Sequence, residues 1–398
     1  MPYPRAAFLP DTFHEVNGVA HTSRHLEAFA HRRQIPFLSI HCGLKEERFE
    51  DGCVSVVQLK RGPAKIGLDA NLDYDPLLLR YYKRVAEEVE KFGADLIHVT
   101  GPGDMGTLGY CVARRLGIPL VISWHTSLHE YAARRLERLA AFLGPAISHG
   151  LGRLAERIAL HILTRFYRKA TVVLAPNPEV VDSLGKLTGR PVFLTKRGVD
   201  TDLFKPARRP RVKHPFRIGY VGRLTAEKNV RFLADLGDAL EALHRAFELV
   251  IGGEGREEAW LRAHVPKAIF TGVLRGERLA DAYASMDLFV FPSRTDTFGN
   301  VVLEALASGV PAVVTDCGGP RFLIKPGVTG LIAHSDRDFI SAVNDLITDP
   351  VLLDQMRHAA RKDALLQSWD TVFEQVFRAY ERCRPADSPL RREALGSI

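Results

Sequence analysis

Short apolar runs recur along this chain with longer amphipathic stretches between them, and they do so in two series. The first series reads AAFLP, IPFLSIH, VSVVQL, DLIHV, PLVISW, TVVLAP and PVFLT; the second reads FRIGYVG, FELVIGG, AIFTGV, LFVFPS, PAVVTD and TGLIA. Apolar runs alternating with helices of roughly ten residues or more predict parallel strands covered by helices on both faces. The chain therefore reads as α/β and doubly wound, twice over. Between the series, Leu203 to Pro215 reads LFKPARRPRVKHP, with three prolines and no acidic residue. Such text holds neither a helical nor a strand period and is assigned as a linker. The expected division is a Rossmann-like domain over residues 1–202, a linker over 203–215 and a second Rossmann-like domain over 216–368. Residues 369–398 are expected to pack back on the first domain. There, SWDTVFEQVFRAYERC sets Trp369, Val372, Phe373, Val376 and Phe377 near one helical face, and the polar tail from Pro385 reads as frayed.

Ligands of open α/β sheets bind beyond the carboxyl ends of the strands, and two such domains facing each other make a cleft there. Gly18 follows the first strand, His125 the fifth, Arg223 the first strand of the second series, and Asp296 a later one. A net formal charge of +7 favours phosphate-bearing partners without choosing among nucleotide, nucleic acid and membrane. Five dispersed cysteines with no C-x-x-C pair argue against a disulfide scaffold or a zinc site. No apolar run is long enough to span a bilayer or to serve as a signal peptide. A cytoplasmic protein is expected.

In FPSRTDTFGNVVLEALASGVPAVVTDCGG, a strand from Leu288 to Phe291 leads into a loop bearing Asp296; Gly299 lets the backbone turn, and a helix starts near Asn300. The amides of Phe298, Gly299 and Asn300 then lie at a helix N-terminus, where unpaired N–H groups favour an anion. Glu304 follows within two turns, either accepting from a vicinal diol such as a ribose or standing solvated on its helix. In GYVGRLTAEKNVRFL, Arg223 and Lys228 follow a strand ending at Gly222, with a helix expected near Asn229. Two cations there suit a diphosphate; a solvated basic loop is the plain alternative. Asn17-Gly18 marks a turn before a helix, serving a close ligand approach or an ordinary turn. His125 and His129 lack the glutamate of H-E-x-x-H, so no metal site is assigned. Asp73-Tyr74-Asp75 precedes a helix and reads as a cap rather than a metal-binding D-x-D.

The Arg223–Lys228 stretch, the spacing from Asp296 to Glu304, GVDTDLF at Gly198 to Phe204 and the Gly318-Gly319 pair resemble family-4 retaining glycosyltransferases of the GT-B fold. The resemblance extends over almost the whole chain. It implies a nucleoside diphosphate sugar as co-substrate, with no metal and no other cofactor. It implies Arg223 and Lys228 on the diphosphate, Glu304 on the ribose, Asp296 with the Phe298 to Asn300 amides on the sugar, and His125 as a further sugar contact. Gly18 joins the donor-binding set, and His125, Asp296, Arg223 and Lys228 form the catalytic set. Where the family usually carries Glu, this chain has Asp296, one methylene shorter. TDTFGN-type text also resembles lipid mannosyl- and sulfoquinovosyltransferase-like members. The implied reaction moves a hexose, with mannose from GDP-mannose as first choice, to a lipid or glycan hydroxyl. The alternatives are a UDP-sugar-dependent glucosyl- or sulfoquinovosyl-type transferase, a nucleotide-sugar epimerase, or a silent nucleotide or polyanion binder.

Tyr131 to Lys169 carries eight basic side chains against Glu137 and Glu156, with apolar residues at helical spacing. A basic amphipathic surface can hold a protein on anionic lipid, whereas an ordinary helix pair with a solvated basic face has the same pattern. Peripheral attachment at the inner membrane face is one expectation. Nucleic-acid binding is not expected, because no basic motif is interleaved with aromatics.

Overall fold

The computed structural model describes residues 3–15, 17–63, 65–69, 72–125, 145–210, 214–296 and 298–383. His129, Arg134, Arg135, Arg138 and the tail from Pro385 lie outside them. The chain divides into two compact units, Met1–Lys196 with Val372–Ile398, and Arg197–Thr371.

The first unit is built on strands β1 (Ala6–Leu9), β2 (Phe37–Gly43), β3 (Glu47–Asp51), β4 (Val54–Lys60), β7 (Leu96–Val99), β8 (Leu120–Ser123), β9 (Val172–Ala175) and β10 (Val192–Leu194). Their order across the sheet is β10-β9-β8-β7-β1-β2-β4-β3, parallel throughout except for β3, which runs antiparallel to β4. Every residue of β1, β7, β8 and β9 is buried, which is why these segments read as mostly apolar runs, broken only by His98 and Ser123. Two elements have no counterpart among the expected strands. β3, with the sequence ERFED, is an exposed charged edge, and β5 (Ile66–Asp69) pairs with β6 (Leu72–Tyr74) as a separate hairpin. The unit's described helices are α1 (Gly18–Arg32), α2 (Tyr82–Phe92), α3 (Asp104–Leu116), α4 (Pro145–Tyr167) and α5 (Pro178–Thr188).

The second unit has six parallel strands, β11 (Phe216–Val221), β12 (Phe247–Gly252), β13 (Ile269–Gly272), β14 (Leu288–Phe291), β15 (Ala312–Thr315) and β16 (Gly330–Ala333), in the order β13-β12-β11-β14-β15-β16. This is the doubly wound order of a Rossmann sheet. Its helices are α6 (Phe232–Ala242), α7 (Glu258–His264), α8 (Gly276–Ala284), α9 (Asn300–Ala307), α10 (Asp336–Thr348) and α11 (Pro350–Leu365). α6 starts later than the sequence suggests, because Asn229 closes a short 3-10 turn with a left-handed φ of 53°. Gly198, in the GVDTDLF segment, packs flat on Trp369: a Cβ there would lie 2.6 Å from the Trp369 Cα.

The last helix, α12 (Trp369–Glu381), joins the first unit from Val372 onward. Phe373 and Phe377 pack on Phe29, and Phe377 on Tyr3. A buried polar link fixes the register: His98 on β7 shares hydrogen bonds with the Tyr380 hydroxyl (2.7 Å) and the Ser123 hydroxyl (2.6 Å). Among the described residues, no helix is long and apolar enough to cross a membrane.

Burial pushes His98 down to about 3 from an ordinary 6.5. The unfolded chain protonates this histidine below pH 6.5 while the folded one does not, so its contribution is full above that pH and is lost as pH falls toward 3. Tyr380→Phe leaves a buried ring nitrogen without its partner and should destabilise the protein by about 1–3 kcal/mol in urea unfolding at pH 7.5.

Candidate active site

Strand order in the second unit reverses between β11 and β14, so the loops leaving these two strands bound a crevice at the switch point. The loop after β11 carries Arg223 and Lys228, and the loop after β14 carries Asp296. The Lys228 Nζ donates to Asp296 Oδ1 at 2.6 Å, and the Thr295 hydroxyl donates to the Glu227 carbonyl at 3.2 Å. Two contacts thus tie together loops 68 residues apart in sequence. Arg223, largely exposed, pairs with Glu227 at 2.6 Å. The two cations therefore do not stand together as free charges; each already holds a carboxylate.

Glycine shapes both loops. Gly253 has φ 122° and lies so close to the β11 loop that a Cβ would fall 1.9 Å from the Gly222 carbonyl oxygen. These glycines after β12 are accounted for by backbone packing. Gly318, with φ 70°, sits under the Asp296 loop, and the Gly319 amide donates to the Asp296 carbonyl at 2.6 Å. The Gly-Gly pair thus gives the Asp296 loop its course.

Helix α9 opens beside Asp296. Gly299 is its N-cap at φ 91° and brings no capping side chain, so the opening amides take no side-chain cap. The Phe298 side chain is buried in the core. Four buried polar atoms border the same crevice without a hydrogen-bond partner among the described residues: Thr225 Oγ1, Ser293 Oγ, Asp296 Oδ2 and Asn300 Oδ1. Buried polar atoms are normally satisfied, and a cluster of exceptions marks a place where a polar ligand fits. Thr225 and Ser293 carry no motif signal and were not among the expected site residues.

Glu304, one turn into α9, is not a solvated carboxylate. It is part-buried and accepts from the Tyr283 hydroxyl at 2.9 Å; burial pushes it up to about 7. Tyr283, on α8, was not expected in the site, because nothing in the sequence links it to a position 21 residues on.

In the first unit, Gly18 is the first residue of α1 rather than a turn residue, and Asn17 caps that helix by accepting from the Ala20 amide at 2.8 Å. His125 follows β8 directly after the buried Trp124, at the carboxyl edge of its sheet. Both carboxylates of Asp73-Tyr74-Asp75 have partners. Asp73 pairs with Lys65 at 2.6 Å, and Asp75 accepts from the Leu77 amide at the entry to a short 3-10 turn. Among the described residues, no group of three or more His, Cys, Asp or Glu side chains could hold a metal ion.

Comparison with known proteins agrees with this architecture. Residues 16–203 match the model of Glycosyltransferase Family 4 and residues 215–349 that of Glycosyl transferases group 1. A GDP-mannose-dependent alpha-mannosyltransferase of Mycobacterium tuberculosis is 32% identical over 95% of this chain and 95% of its own length. The sulfoquinovosyl transferase SQD2 of Arabidopsis thaliana is 29% identical over 76% of this chain and 58% of its own. Among solved structures, a sucrose-phosphate synthase of Thermosynechococcus elongatus superposes with a TM-score of 0.72 at 18% identity, covering 95% of this chain and 98% of that one. The last likeness shows the GT-B fold alone. The identity and coverage of the mycobacterial relative, taken with a Rossmann order in the second unit and a polar crevice at its switch point, place this chain in glycosyltransferase family 4.

Proposed function

We propose that the enzyme transfers a mannosyl group from GDP-mannose to a hydroxyl of a lipid or glycan acceptor, with retention at the anomeric carbon and without a metal ion. The observation that carries the donor reading is the Lys228–Asp296 pair at the switch point, bordered by unsatisfied polar atoms and an uncapped helix. The mannosyl donor is supported by a relative so named that matches almost the whole chain.

Each residue has a task that follows from its surroundings. The leaving diphosphate gains negative charge in the transition state, and preorganised cations and amides stabilise it there. Arg223 exchanges an exposed Glu227 pair, worth about 0–1 kcal/mol, for the phosphate. Lys228 is shared between Asp296 and the diphosphate, so it links the leaving group to the sugar side of the site. Asp296 Oδ2, which lacks a partner, accepts from a sugar hydroxyl beside the Phe298, Gly299 and Asn300 amides. Glu304 accepts from the ribose diol. His125 and Gly18 are assigned to the donor from the first unit on the strength of the family resemblance.

The membrane reading has its own observation. On α4, Leu154, Ile158 and Ile162 recur every four residues and are each more than half exposed, while Leu163 and Tyr167 form the buried side. Exposed Arg153, Arg157 and Arg165 share the helix with that aliphatic stripe. An apolar stripe among arginines suits the interface of an anionic bilayer.

A donor panel of GDP-mannose, UDP-glucose and UDP-sulfoquinovose, incubated with lipid extract and read by mass, should show transfer from GDP-mannose; preference for a UDP-sugar would overturn the mannosyl reading. Lys228→Ala should weaken GDP binding by about tenfold or more in calorimetry, the loss expected for one charge-assisted contact. Glu304→Gln should act in two directions. In the wild type the unfolded chain ionises this carboxyl near pH 4.5 and the folded chain near 7, so stability falls as pH rises through that window. The amide removes that cost, so the variant should melt higher than wild type at pH 8 while binding GDP more weakly. For the membrane, the protein should cosediment with phosphatidylglycerol vesicles but not with phosphatidylcholine vesicles at low salt. Leu154→Ser with Ile158→Ser should reduce that binding and leave GDP affinity unchanged; equal indifference to both vesicles would make α4 a solvated helix.

A further inference from the structure

A row of buried aromatic rings runs through the second unit. Tyr220, near the end of β11, has its ring centre 6.1 Å from that of Phe291 on β14; Phe291 lies 6.1 Å from Phe289, and Phe289 lies 5.6 Å from Tyr283 on α8. All four residues are withdrawn from water, none more than 2% exposed. Ring contacts of this kind suit phenylalanine as well as tyrosine, so packing calls for a hydroxyl at none of the four positions. A buried hydroxyl that finds no partner costs stability. Yet the two inner rings are phenylalanines and the two outer ones are tyrosines.

Each outer hydroxyl reaches a residue assigned to the donor. The Tyr283 hydroxyl donates to Glu304 Oε2 at 2.9 Å. The Tyr220 hydroxyl donates to the Arg223 carbonyl at 3.1 Å, and the chain passes so near that a Cβ on Gly222 would fall 2.8 Å from that hydroxyl. The residues on either side of Arg223 are held by the loop after β12: the Gly222 amide donates to the Gly252 carbonyl at 3.0 Å and the Leu224 amide to the Glu254 carbonyl at 2.8 Å. The Arg223 carbonyl is held by Tyr220 together with the Thr225 amide, also at 3.1 Å. The main chain that carries Arg223 is therefore fixed, although its side chain is largely exposed.

We propose that Tyr220 and Tyr283 are positioning residues for the two halves of the donor, Tyr220 acting through Arg223 on the diphosphate and Tyr283 acting through Glu304 on the ribose; this rests on the donor reading above. Groups fixed before the ligand arrives need not be ordered on binding, which is where their contribution to affinity comes from.

Ligand-observed NMR titration of the full-length protein with GDP and with guanosine, which keeps the ribose and lacks the phosphates, separates the two roles. Tyr283→Phe should weaken both ligands by the same factor, about threefold or more. Tyr220→Phe should weaken GDP by about threefold or more and leave guanosine as in wild type. Phenylalanine keeps the ring row packed, and Tyr380→Phe in the first unit is the control for a purely structural hydroxyl: it lowers stability and leaves both affinities unchanged. Tyr220→Phe overturns its assignment if GDP binds as in wild type or if GDP and guanosine weaken together. Tyr283→Phe overturns its own if either ligand binds as in wild type. Each variant decides its half alone. The donor reading fails separately, and this proposal with it, if the wild-type protein binds neither GDP nor guanosine.

Discussion

The Lys228–Asp296 hydrogen bond joins the loops that leave β11 and β14, the two strands between which the second sheet reverses its order. Much else in this unit serves that junction. Gly318 and Gly319 pass beneath the Asp296 loop, Gly253 lets the β12 loop lie against the β11 loop, and Gly299 starts α9 without a side chain over its amides. The pair is mostly withdrawn from water, so its Coulombic attraction is only partly screened. A diphosphate arriving there competes for one ammonium group, and a sugar hydroxyl answers the oxygen of Asp296 that is left over.

The sheets were legible because parallel strands buried on both faces leave uninterrupted apolar text, as in VVLA and LFVF. Where that physics does not apply, the text is silent. The strand ERFED lies at a solvent-facing edge, and the β5–β6 hairpin stands off the main sheet. The candidate site was legible where spacing within one loop and helix carries it, as from Asp296 to Glu304. It was not legible where partners meet only through the fold. Lys228 and Asp296, Tyr283 and Glu304, and Arg61 and Asp104 come from separate elements, and local pattern holds no record of their meeting. The same blindness hides their partners: Arg223 and Lys228 read as two cations suited to a diphosphate or as a solvated basic loop, and each has a carboxylate at hand.

Two buried carboxyls, one in each unit, set function against stability. Glu304 is pushed up to about 7, and in the first unit Asp11, beside Asp104, is pushed up to about 6 by burial and its neighbour's charge. Holding carboxyls where their charged forms are disfavoured weakens the fold at neutral pH, and such positions cluster where ligands bind. Elsewhere the charged groups are paired to opposite effect: buried Arg61 and Asp104 meet in two charge-assisted hydrogen bonds, at 2.8 and 3.1 Å.

The shared lysine is the central claim, and Asp296→Asn tests it most directly. The variant keeps the shape of the loop but releases Lys228 from its carboxylate. Calorimetry with GDP should therefore show affinity equal to or tighter than wild type, while mannosyl transfer from GDP-mannose falls steeply. A loss of GDP affinity as large as that of Lys228→Ala would contradict the account, because Asp296 would then be holding the nucleotide site together rather than competing for its lysine.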